Sequence, residues 1–156
     1  MTTLVGFDKS GAYANLNAGN ASGLGDVAED HLGNRYQFVL ASGAVAQYDA
    51  VHIGSTYVAQ ALTSALAASG APVGVAMGTL SSASYGWTCI KGVTTVNALQ
   101  TCASSTALYT SGTAGKLDDT TTSHVKVAGI VLTTANATTG TVATACIIAG
   151  NPYAAI

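Results

Sequence analysis

Few residues in this chain have side chains able to do chemistry, and their spacing does not favour a reaction. Asp26, Glu29, Asp30 and His31 form the only acidic cluster along the sequence. Such a group offers ligands for a divalent cation, but the spacing is not that of a calcium loop. A solvated turn, or a helix start whose dipole favours acids, accounts for it. Asp118 and Asp119 stand where a turn uses Asx residues. His31, His52 and His124 are far apart, and none has a cysteine or second histidine at zinc spacing. Serines are plentiful, yet no Gly-x-Ser-x-Gly elbow marks a nucleophile. Gly23-Leu24-Gly25 lacks both the preceding strand and the third glycine of a phosphate cradle. No catalytic, cofactor-binding or metal-binding residues are expected, and the chain reads as a non-enzyme.

The elements that would carry these residues are short strands. Tyr36–Ala41 is a compact apolar run turned by Ser42-Gly43, and Ala50–Gly54 alternates around Val51, His52 and Ile53. Thr56–Leu62 is a further run, after which Thr63 caps a short helical turn, Ser64–Ser69, that Gly70 ends. The clearest signal is a hairpin, Val73–Leu80 and Gly86–Val93, flanking a Ser/Ala loop that leads into Tyr85-Gly86-Trp87. Thr94–Leu99, Thr106–Thr110, His124–Leu132 and Val142–Ala149 complete the pattern. Many short strands separated by turn signals predict an all-β fold, a small β-barrel or sandwich of short antiparallel strands. Strand–helix–strand alternation of a nucleotide-binding fold is missing.

Residues 1–35 differ. They show no helical or strand period and are rich in small, turn-permissive residues. Such a segment buries too little apolar surface to offset its own ordering entropy. It is expected to be an extended N-terminal arm, with residues 36–156 as the barrel domain. Leu4, Val5, Phe7, Tyr13, Leu16 and Leu24 are its candidate anchors to a partner.

Composition narrows the function classes. Charged residues are 8% of the 156, against about a quarter in ordinary domains. A small monomer needs charge to stay dispersed, so a permanent assembly is expected. The net charge of −2 and the five scattered cations Lys9, Arg35, Lys91, Lys116 and Lys126 give no footprint for nucleic acid. No apolar run reaches the roughly 20 residues of a membrane helix, and Met1–Asp8 does not read as a signal peptide. Cys89, Cys102 and Cys146 are odd in number and widely spaced, as small buried hydrophobes of a reducing compartment are. Synthesis in a cytoplasm follows as the expectation, and the N-x-S/T sequences at Asn20 and Asn136 are then fortuitous. Trp87 and Tyr85 are expected to fill or seal a barrel end.

Gly43-Ala44-Val45-Ala46 with Tyr48-Asp49-Ala50-Val51, then Val73-Gly74-Val75-Ala76, Tyr85-Gly86-Trp87 and Gly92-Val93 form a spaced set of Gly, Val and turn residues. Leu108-Tyr109, Thr113-Ala114-Gly115-Lys116-Leu117-Asp118 and Gly129-Ile130-Val131 continue it. Over roughly residues 36–149 this pattern resembles the small β-barrel decoration (cement) proteins of tailed-bacteriophage capsids. The resemblance implies a virion protein on the capsid exterior, bound to the major capsid protein, commonly as a homotrimer and often through a terminal arm. It brings no catalytic or ligand-binding residues with it, and no cofactor, nucleic acid or membrane partner is expected. The rival expectation is a phage fibre or host-surface glycan-binding module built around Tyr85, Trp87 and Tyr109.

Overall fold

The computed structural model describes residues 7–15, 23–137 and 142–154. It is nearly all β. In chain order the strands are β1 (Ala12–Tyr13), β2 (Val27–Glu29), β3 (Arg35–Ala41), β4 (Ala50–Ile53) and β5 (Val58–Ala61). The short helix α1 (Ser64–Ala67) follows. Then come β6 (Val73–Ala76), β7 (Tyr85–Ala98), β8 (Leu108–Thr110), β9 (Leu117–Asp118), β10 (Lys126–Leu132) and β11 (Val142–Ala154). The Thr63 hydroxyl caps α1 by accepting from the Leu66 amide, as the sequence predicts. No helix among the described residues is long and apolar enough to cross a membrane.

Pairing closes the sheet on itself. β7 pairs with β6, β6 with β4, β4 with β5, β5 with β3, and β3 with β7 again, giving a closed five-strand barrel. A second ring leaves β7 through β9, β8, β10 and β11 and returns to β7. An odd ring cannot alternate direction all the way round. Each therefore contains one parallel pair, β3–β5 in the first and β7–β9 in the second, where the sequence predicts antiparallel strands throughout. The second ring closes through a single parallel pairing, Ala98 with Leu117.

The narrow first barrel explains the abundance of alanine. Its interior holds Val39, Ala41, Val51, Ile53, Ala59 and Ala76, sealed by Val45 and Leu80. Gly74 shares that space: a Cβ there would stand 3.1 Å from Ile53 Cδ1 and 3.3 Å from the Cys89 carbonyl oxygen. The larger core lies outside this barrel, where Tyr36, Phe38, Trp87, Leu108, Ile130, Leu132 and Ile148 pack together. β3 thus buries side chains on both faces, and its burial does not alternate cleanly. Within the larger core Phe38 sits 4.9 Å from Trp87 and stacks on Tyr85 at 6.0 Å.

Part of the patternless N-terminal stretch belongs to this core. Phe7 lies 5.0 Å from the Trp87 ring and 5.6 Å from Tyr36, and Tyr13 lies 6.2 Å from Phe38. Leu24 packs against the same cluster. β1 pairs with β7, and β2 with β3. The division drawn at residue 35 falls at the first residue of β3, so it cuts the β2–β3 hairpin. Leu4, Val5 and Leu16 lie outside the described residues.

Candidate functional site

The outward apolar groups are the feature with most to offer a partner. Val93 is 63% exposed and Val131 40%, and both pair in register with Ile147, one from each side of β11. Residues directly opposite in antiparallel strands share a sheet face, so Val93 and Val131 lie on one face, two strands apart. Leu32, 73% exposed, is carried to the same region by the β2–β3 turn. That turn is fastened to β7 because Asn34 Oδ1 accepts the Val93 amide at 2.8 Å. Gly92 makes the approach possible: its φ is +114°, and a Cβ there would meet Asn34 Oδ1 at 2.0 Å.

Asp30 organises this turn. Its carboxylate accepts from the Leu32 and Asn34 amides at 3.0 Å each, from Asn34 Nδ2 at 2.9 Å and from the Tyr36 hydroxyl at 2.9 Å. Lys9 Nζ stands 3.7 Å away and donates to the Tyr36 hydroxyl. Burial alone would raise the carboxyl pKa, but the donors from Asn34, Tyr36 and Leu32 win and hold it down at about 2. Burial and the Asp30 acceptor push the Tyr36 phenol up. Glu29 pairs with Arg35 at 2.9 Å, and Asp26 accepts the Gly23 amide at 3.0 Å. The acidic cluster is therefore hairpin structure, and its Glu29 lies in a strand rather than at a helix start.

A cleft of about 810 Å³ opens where the end of β11 crosses the barrel, through the Pro72–Tyr153 bridge. Its walls are largely apolar, with Ile53, Val73, Ile90 and Pro152, and it presents His52, Tyr57 and Tyr153. The two tyrosines are exposed, whereas Trp87 is wholly buried and offers no face for stacking. Tyr85 is occupied against Phe38.

The remaining candidates are dispersed over the fold. His31 is exposed in the hairpin turn, His52 lines the cleft, and His124 precedes β10. His124 Nδ1 is buried with no hydrogen-bond partner among the described residues. All three cysteines are free and buried; burial pushes the Cys89 and Cys102 thiols up to about 11 and Cys146 to about 12. The fold gathers Cys102 with Asp118 and Asp119, their ligand-type atoms within 4.8 Å of one another. The thiol donates to Asp118 Oδ1 at 3.5 Å, and Asp119 accepts the Ala103 amide at 2.9 Å. This grouping was invisible in the sequence, where Cys102 stands 16 residues away from Asp118. Asn136 is buried, its amide donating to the Ala98 and Leu99 carbonyls at 3.2 and 2.7 Å.

Comparison with protein-family models, with curated proteins and with solved structures finds no match for the chain.

Proposed function

We propose that this protein is a structural capsid decoration (cement) protein. It binds the outer surface of a phage head as a homotrimer and stabilises joints between major capsid proteins. The observation that carries this reading is the apolar face of Val93 and Val131 beside the Leu32 turn, on a chain with only 8% charged residues. Apolar surface grouped in this way marks an interaction site rather than a solvated surface. A closed barrel suits the role because it presents few free strand edges to wrong partners. Many copies on one shell then stabilise it by mass action. Phe7, Tyr13 and Leu24 serve the barrel's own core, which shifts the docking role from those side chains to the strand face.

The test uses particles assembled from a tailed-phage major capsid protein. Purified protein is expected to co-sediment with them and to add density at local three-fold positions in electron microscopy. Bare particles at saturating protein overturn the reading. Light scattering is expected to give a trimer, and Val93→Glu with Val131→Glu is expected to abolish docking while circular dichroism stays unchanged. A stable monomer at micromolar concentration removes the trimer.

A glycan-binding module is the second reading, favoured by the cleft with its exposed Tyr57 and Tyr153. Sugar rings stack on such aromatic faces. Binding to a glycan array that is lost in Tyr57→Ala and Tyr153→Ala, without loss of fold, would select it over the capsid role.

A further inference from the structure

The fold brings Asp49, Asn97 and Lys116 together from positions 48 and 67 residues apart. Asp49 Oδ1 accepts from Asn97 Nδ2 at 2.7 Å and is in direct contact with Lys116 Nζ. Its other oxygen accepts the Ala46 amide at 3.1 Å, which fixes the carboxylate plane. The Asn97 amide is held as well, since Nδ2 also donates to the Gln47 carbonyl at 2.8 Å. The site is enclosed: the Asp49 side chain is 6% exposed and that of Lys116 16%. Gly115 packs so closely that a Cβ there would lie 2.6 Å from Asp49 Cγ.

A buried amine, a carboxamide and a carboxylate sharing one oxygen form the reactant set for an intramolecular amide condensation. We propose that Lys116 and Asn97 join in an isopeptide bond, with Asp49 carrying the protons. The Lys116 ammonium gives a proton to Asp49 Oδ1, and the freed Nζ lone pair attacks Asn97 Cγ. The new C–N bond forms as the carbonyl π pair moves onto Asn97 Oδ1. Asp49 then delivers its proton to Asn97 Nδ2, the atom it already touches. The Cγ–Nδ2 bond breaks with its electron pair leaving on nitrogen, and ammonia departs. The Nζ of the intermediate, still carrying an extra proton, returns it to Asp49 as the amide forms. Ammonia takes that proton as it leaves, so the net reaction is ammonium plus carboxamide giving isopeptide plus ammonium ion. No oxidant, metal or activated donor is needed. Fixing the reactants in one enclosed place supplies the entropic part of the rate, and the shared oxygen supplies acid–base catalysis.

The bond would strengthen the point where the second ring closes. Asn97 and Lys116 immediately precede Ala98 and Leu117, whose parallel pairing joins β7 to β9 and closes the second ring. A covalent tie there makes that closure permanent, which suits the capsid-stabilising role proposed above.

The experiment is high-resolution intact mass of the full purified chain under denaturing conditions, followed by proteolytic mapping. The expected result is a mass one ammonia below that required by the sequence, with a branched peptide joining Asn97 to Lys116. Lys116→Arg keeps a cation beside Asp49 but cannot condense in this way; it should show its full sequence mass, as should Asp49→Ala. A wild-type chain at full sequence mass overturns the proposal. So does a deficit that persists in Lys116→Arg, or a loss of water with the branch at Asp49.

Discussion

Replacing Asp30 by Asn tests whether one carboxylate holds the turn that carries Leu32 to the outer face. The native carboxyl is drawn from 3.8 down to about 2 because burial is outweighed by donors from Asn34, Tyr36 and Leu32. A shift of that size corresponds to about 2 kcal/mol. Solvent screening of a side chain still 15% exposed reduces it to about 1–2 kcal/mol. Because the folded pKa lies below the unfolded one, the stabilisation is complete above about pH 4 and is lost as pH falls towards about 2. Urea unfolding of wild type and Asp30→Asn, followed by tryptophan fluorescence, measures the difference at a series of pH values. The expected gap is about 1–2 kcal/mol at neutral pH, closing as acid protonates Asp30. A gap independent of pH would show that the charge contributes nothing and that the turn is held by shape alone. No gap at neutral pH would remove Asp30 as organiser altogether.

Phe7→Ala should destabilise the fold by about 2 kcal/mol, somewhat below the usual cost of a fully buried Phe because Phe7 is half-buried. Chemical denaturation measures this; an unchanged midpoint would mean that the Phe7–Trp87 contact contributes nothing. Gly92→Ala should cost about 2–3 kcal/mol, combining a left-handed φ with loss of the Asn34–Val93 bond. Its amide exchange should rise locally at residues 30–34 and 92–93, and protection equal to wild type would contradict that. The thiols of Cys89, Cys102 and Cys146, held up by burial at about 11 to 12, should resist a thiol-specific reagent at neutral pH until the protein unfolds. Rapid labelling of the native protein would refute their burial.

Strands with a clear alternation or a compact apolar run were legible in the sequence. β4, β5 and β6 fall inside the predicted runs, β3 exceeds its run only by Arg35, and the Thr63-capped turn lies where the sequence predicts it. The errors share a physical cause. Gly92 and the following Val93 read as a strand end, yet β7 continues through them to Ala98, because a positive φ at Gly92 lets the chain pass Asn34 without breaking its pairing with β11. β11 likewise continues beyond Ala149 to Ala154, through a stretch containing Pro152. Two-residue strands such as β1 have no period to detect. They exist because β7 supplies a partner already in place, which local sequence cannot express.

The same distinction explains why the contacts made by ring closure are not legible in the sequence. Local patterns report groups adjacent in sequence, and this chain's neighbouring acids, Asp26, Glu29 and Asp30, turned out to serve a hairpin. Its chemically loaded contacts come from ring closure instead. Bending five strands into each of two rings that share β7 brings together residues tens of positions apart: Asp49 with Asn97 and Lys116, and Cys102 with Asp118 and Asp119. β7 belongs to both rings, so the first trio meets where the barrel and the second ring join. A charge-poor protein has few polar groups to spare. Enclosing a Lys–Asp pair at that junction carries a desolvation cost that good hydrogen bonding only partly offsets. An ion pair alone would be a weak reason to retain it, whereas a site that ends as an amide leaves a covalent brace.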